Sequence, residues 1–180
     1  MPILSTHDTM VLVVDMQARL LPAVADHEQL RARAGRLLAA ARLLGVPVIA
    51  TEHWAEKIGG TDHALLPAID HVIHKTHFDA TREAQFQPEL PVGRNHVLLI
   101  GTEAHVCVLQ TGLGLARLGY APILVTDCIG SRREADRAAA CKRWEHYGLE
   151  QITAEMAMFE WLETPAHPHF KEVLALVKAE

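Results

Sequence analysis

Three residues in this chain pair a reactive side chain with one kind of position. Cys107 stands in Gly101-Thr102-Glu103-Ala104-His105-Val106-Cys107-Val108, where an apolar run gives way to a helical pattern. Asp15 follows Met10-Val11-Leu12-Val13-Val14, and Lys75 follows His71-Val72-Ile73-His74. A thiol, a carboxylate and an amine in one crevice can run nucleophilic catalysis: the carboxylate takes the thiol proton and the amine steadies the sulfur anion. In the first turn of a helix, free N–H groups and the helix dipole favour Cys107 as a thiolate and can hold an oxyanion. Each residue also has a plainer reading. Cys107 could be a small buried hydrophobe, Asp15 the cap of a turn in Met16-Gln17-Ala18, and Lys75 a solvated loop lysine. What favours chemistry is that all three sit at the ends of apolar strands.

The elements that must position them follow from periodicity. Strands are expected at 10–14, 46–51, 72–74, 96–100 and 123–126, with a weaker one at 150–153. A helix at about 28–44 carries Leu30, Ala34, Leu37, Leu38, Ala41 and Leu44 on one stripe, with Asp26 and Gln29 as a capping box and Gly45 as its stop. Another is expected at 105–118, stopped by Gly119. A third runs to Tyr147 from a capping box of Ser131 and Glu134. Two more are expected at 154–162 and 169–178. Val-, Ile- and Leu-rich strands alternating with amphipathic helices predict an α/β fold with a parallel sheet covered on both faces. In such a sheet the three strand ends share one edge, where ligands bind.

Composition narrows the function classes. The 180 residues predict one domain, 1–180, with 49% hydrophobic and 22% charged residues, ordinary for a globular chain. The net charge of −5 argues against nucleic acid or anionic lipid as a partner. No apolar run approaches the ~20 residues of a membrane span, and the stretch from Met1 to Asp8 does not read as a signal peptide. Three cysteines without a CxxC spacing suit a reducing cytoplasm better than a disulfide scaffold or a structural zinc site.

Three segments, taken together, resemble the isochorismatase-like cysteine hydrolase family. They are Val11-Leu12-Val13-Val14-Asp15-Met16-Gln17, Lys75-Thr76-His77-Phe78, and Gly101 to Thr111. Thr51-Glu52 and the ending Ala166-His167-Pro168-His169-Phe170-Lys171-Glu172 look most like the subgroup named isochorismatase domain-containing. The resemblance implies a three-layer α/β/α fold with a six-stranded parallel sheet of order 321456. It implies a triad in which Cys107 attacks, Asp15 is the base and Lys75 supports the thiolate. It implies a cis peptide between Thr102 and Glu103, and an oxyanion hole from the N–H groups of Glu103 and Cys107. The implied reaction is hydrolysis of a C–N bond in a small amide through a thioester, without a cofactor, in a homo-oligomer (dimer, tetramer or larger).

One departure matters. The nicotinamidase branch carries an Asp-x-His metal motif after strand two, and this chain has Thr51-Glu52-His53-Trp54 there. No metal is therefore implied. Of the 12 histidines, His53, His74, His77 and His105 flank the site. His74 and His77 have no evident third ligand and read as loop residues. Gln17, Trp54, Phe78 and His105 are candidates for the substrate pocket. Asp127 ends strand five at the same edge, although capping the next turn explains it as well. Cys128 and Cys141 read as packing thiols, and Arg132-Arg133-Glu134 as a solvated helix start. Two other functions stay open: a non-catalytic metabolite-binding module on the same fold, and a nicotinamidase-like, metal-assisted amidase using the histidines.

Overall fold

The computed structural model describes residues 3–179; Met1, Pro2 and Glu180, the ends of the expected 1–180 unit, lie outside the described residues. The strands are β1 (Thr9–Val14), β2 (Val48–His53), β3 (His71–Lys75), β4 (His96–Thr102), β5 (Ala121–Gly130) and β6 (Glu150–Ile152). They form one sheet in the order β3-β2-β1-β4-β5-β6, and every neighbouring pair is parallel. The helices are α1 (His27–Leu43), the single turn α2 (Ala55–Ile58), α3 (Leu109–Arg117), α4 (Glu134–His146), α5 (Ala154–Leu162) and α6 (Phe170–Lys178).

Alternation along the buried strands builds two cores. Val11, Val13, Leu98 and Ile100 face the layer of α1, α5 and α6. Met10, Leu12, Val14, Val97 and Leu99 face the layer of α3 and α4. Successive strand side chains point to opposite faces, so strands apolar at every position must be covered twice. This is the three-layer arrangement.

Two helix starts differ from expectation. Asp26 does stand at the N-cap of α1, but its backbone is left-handed (φ 51°) and its side chain makes no capping bond. Ser131 does not cap α4; Arg133 holds that position, while Ser131 is buried with its hydroxyl 3.0 Å from His105 Nδ1. A partner elsewhere in the fold has taken the oxygen that local spacing assigned to a cap. Strand five is also longer than periodicity predicts: partly exposed Thr126 and Asp127 interrupt the apolar run, and after a shift of register the strand pairs with β4 again at Ile129 and Gly130.

The site lies where the chain reverses direction across the sheet. β1 is flanked by β2 and β4, so the crossovers leave it on opposite sides and open a crevice at its carboxyl end. Gly101 makes the close approach there possible. Its φ is 131°, and a Cβ at this position would run into the Val14 carbonyl.

Candidate active site

Asp15 follows β1 with φ at 51°, a left-handed conformation that is uncommon for a non-glycine residue and is found where strain is held for a purpose. Its N–H donates to the Thr51 carbonyl at 3.1 Å. The Thr102 hydroxyl donates to the Asp15 carbonyl at 2.6 Å. The carboxylate is fully buried. Thr51 Oγ1 donates to Oδ1 at 2.7 Å, and Lys75 Nζ lies 2.7 Å from Oδ2, with both side chains at 0% exposure. Apart from that ion pair, Oδ2 has no hydrogen-bond partner among the described residues.

Lys75 ends β3, two strands from β1, and strands lie about 4.8 Å apart. Only a long side chain crosses the end of β2 to meet Asp15, and lysine supplies the reach. Its ammonium also donates to the His77 carbonyl at 3.2 Å and stands 3.5 Å from His53 Nδ1. The buried ammonium is thus paired with a carboxylate and a backbone carbonyl, as a buried charge requires.

Cys107 is buried, and its thiol faces both Asp15 and Lys75. Burial pushes the thiol pKa well above its ordinary value. The Asp15 charge adds to this, and Lys75 pulls the other way without overcoming it. The expected resting thiolate is therefore corrected. Cys107 does lie in the turn that leads into α3, but the loss of water and then the neighbouring carboxylate hold the proton on the sulfur. At neutral pH the side chain is a thiol beside a carboxylate able to accept its proton.

The turn that presents Cys107 is π-helical, from Ala104 to Val108, and passes into α3. The Glu103 carbonyl accepts from the N–H groups of Val106 and Val108 at 3.0 and 3.3 Å, passing over Cys107. Such wide turns recur at functional sites. The expected cis peptide between Thr102 and Glu103 is a second correction, because no described peptide bond is cis. A trans bond is the default before a non-proline residue. Glu103 sits at φ −69° and ψ 125°. Its carboxylate is held by Arg132 through the backbone N–H at 3.1 Å and through Nε at 2.6 Å.

The remaining candidates divide by exposure. Trp54 and Phe78 are 46% and 51% exposed and flank His53, with ring centroids 6.2 and 5.3 Å from its imidazole. Burial and then Lys75 lower the His53 pKa, so this ring is neutral at neutral pH. His105 is partly buried, its Nδ1 near both Ser131 Oγ and Glu103 Oε2. Gln17 does not line the pocket surface: it is fully buried, donates to the carbonyls of His53 and Gly59, and accepts from the His53 N–H. It braces the loop that carries His53 and Trp54. His74 and His77 point to different partners, Glu52 and Glu83, and no three His, Cys, Asp or Glu side chains converge as metal ligands among the described residues. Asp127 accepts from the N–H of Ala154, at the start of α5.

Residues 9–156 match the family model described as the isochorismatase domain. The chain belongs to the isochorismatase family. It is 35% identical over 174 residues to isochorismatase domain-containing protein 1 of Salmo salar, an alignment covering 95% of this chain and 61% of that protein. It is 32% identical to isochorismatase domain-containing protein 2 of Rattus norvegicus, covering 94% and 81%. This chain thus spans less than two thirds of the first relative and most of the second. Among solved structures, the MAR1 ribonuclease of Caenorhabditis elegans superposes with a TM-score of 0.92 at 29% identity, over 98% of this chain and 93% of that one.

Several residues of this isochorismatase-family site escape motif reading. Thr51 and Thr102 brace Asp15, Arg132 holds Glu103, and Asp79 with Arg117 ties down the loop beyond Lys75. Both threonines stand at or near the end of a buried apolar strand and within the segments that carry the family resemblance, but neither signal gave them a role. Arg132 read as part of a solvated helix start; it is exposed there, and its guanidinium is also paired with the buried Glu103 carboxylate.

Proposed function

We propose that this chain is a metal-independent cysteine hydrolase that cleaves a C–N bond of a small amide-like substrate through a thioester on Cys107. Family membership supports hydrolysis. The observation that carries the finer reading is the buried Asp15–Lys75 pair at 2.7 Å, set against the Cys107 thiol. In the proposed reaction the thiol proton passes to Asp15 as sulfur attacks the amide carbonyl. The oxyanion is met by the N–H groups of Glu103 and Cys107. Collapse breaks the C–N bond, and the departing nitrogen takes the proton from Asp15, leaving a thioester. Water then adds to the thioester and gives its proton to Asp15. The second collapse releases a carboxylic acid and a sulfur anion, which recovers that proton. Lys75 offsets the negative charge that moves between carboxylate and sulfur. Trp54, Phe78 and His105 form the substrate-facing rim.

The test is a panel of small amides followed by mass spectrometry. Wild type should form an acyl adduct on Cys107, and Cys107→Ala should lose turnover by on the order of 10⁴-fold with an unchanged fold. Near-normal turnover in that variant would remove the assignment. A single-stranded RNA included in the panel addresses the ribonuclease name of the solved relative; cleavage of RNA but no amide would replace the amide reading. The three free thiols suit a reducing compartment, and we place the protein in the cytoplasm; fractionation of the source cells tests this. We also expect a homo-oligomer, which a monomer mass by light scattering would contradict.

A further inference from the structure

The loop after Lys75 is bolted to the helix after Cys107 by a set of contacts with no share in the proposed proton transfers. Asp79 is buried. Its Oδ1 accepts from the Thr81 N–H at 3.0 Å and the Thr81 hydroxyl at 2.6 Å, and its Oδ2 lies 2.8 Å from Arg117 Nη2. Thr111 Oγ1 accepts from the Ala80 N–H at 3.1 Å and donates to the Phe78 carbonyl at 3.3 Å. Between Thr111 and Arg117 stands Gly114, where a Cβ would run into the Asp79 carboxylate and the Thr81 hydroxyl. Residues 111, 114 and 117 recur every three positions, so they share one face of α3. Ala80, fully buried in the same core as Cys107 and Val108, closes the joint from below.

This arrangement exceeds what anchoring a surface loop requires. Phe78 is 51% exposed and adds little to the core, yet a buried carboxylate, a buried threonine and a glycine shaped to its neighbours hold the segment that bears it. The same segment begins just beyond His77, whose carbonyl accepts from the Lys75 ammonium. The loop is thereby joined to α3, the helix that continues from the Cys107 turn. We infer that Asp79, Thr111 and Arg117 are positioning residues, a clasp that sets Lys75 and Phe78 relative to Cys107. The inference deepens the hydrolase reading and rests on it for turnover, but its effect on the thiol can be measured without a substrate.

The experiment compares iodoacetamide labelling of Cys107 against pH in wild type, Arg117→Ala, Arg117→Lys, Gly114→Ala and Arg137→Ala. Asp15 and Lys75 are the charged groups that face the thiol. Loosening Lys75 should move the labelling profile of Arg117→Ala and Gly114→Ala to higher pH and slow labelling at pH 8 about three- to tenfold. Arg117→Lys should recover most of the loss, and Arg137→Ala, which breaks an ion pair on α4, should leave the profile in place. With any amide that wild type turns over, Arg117→Ala should lose kcat more than it raises KM. A profile unmoved in both clasp variants would overturn the inference, as would an equal movement in Arg137→Ala. If wild type turns over no amide, the hydrolase reading fails while the labelling profiles still decide the clasp.

Discussion

At the residue scale, Cys107 rests as a protonated thiol chiefly because burial pushes its pKa up; Asp15 adds to that rise and Lys75 pulls the other way. Substituting each neighbour should therefore move labelling in opposite directions. Asp15→Asn should speed alkylation of Cys107 at fixed pH although turnover is lost, whereas Lys75→Ala should slow alkylation and lose turnover together. Alkylation rates followed by peptide mass spectrometry, with Cys128 and Cys141 as internal references, check this. Both variants strand a buried charge, at a cost of about 3–5 kcal/mol, so the comparison belongs well below their unfolding temperatures. Faster labelling in both variants would mean that the thiol responds to loosening of the site and not to the charges. The position of all three residues at strand ends was legible from apolar runs. The protonation state was not, because it depends on how much water the fold removes from the sulfur.

At the element scale, the segment following β3 is stapled by one carboxylate. Glu83 Oε1 accepts from the N–H groups of Thr76 and His77 at 2.7 and 3.0 Å and stands 2.9 Å from His77 Nδ1. Partial burial pushes its pKa up, but the His77 and Thr76 N–H groups outweigh that and hold it at about 2, below its ordinary 4.5. A depressed folded value means that the unfolded chain binds the proton more readily. The staple is fully stabilising above pH 4.5 and is lost as pH falls toward about 2. Wild type should thus be more stable than Glu83→Gln near neutral pH, and their urea midpoints should converge on acidification through that window. A constant gap would show that Glu83 acts through packing. Elements themselves were largely readable: the helix at 154–162 was placed to the residue, and the main strands to within a few residues. Their caps were not, because an Asp or Ser oxygen has many possible partners, and at Ser131 a histidine 26 positions away was the one chosen.

At the scale of the whole molecule, the two cores clamp the sheet that aligns the strand ends. Trp144 is fully buried, donates from Nε1 to the Glu150 carbonyl at 2.8 Å, and fills the space that a Cβ on Gly112 would occupy. It joins α4 to α3, the helix that continues from the turn bearing Cys107. Trp144→Ala should cost about 3–5 kcal/mol in denaturant unfolding. It should also increase the exposure of Cys107 to alkylating agents, because the turn loses its backing. Full stability in this variant would mean that the site edge is held by the sheet alone.

The sequence by itself determined the class of the molecule. Apolar runs with period two or none, alternating with helical stripes, admit only a sheet covered on both faces, and the reactive residues fall at the ends of those runs. What only the tertiary structure decided is how those ends meet. Lys75 reaches Asp15 because β2 lies between β3 and β1, a strand order that periodicity leaves open and that only family resemblance suggested. The polar frame around Asp15, Lys75 and Cys107 joins Thr51 to Asp15 across 36 positions, Arg132 to Glu103 across 29 and Arg117 to Asp79 across 38. No local pattern encodes such pairs. Hydrophobic periodicity is set by each element's own geometry, whereas a buried hydrogen bond is set by which elements pack together.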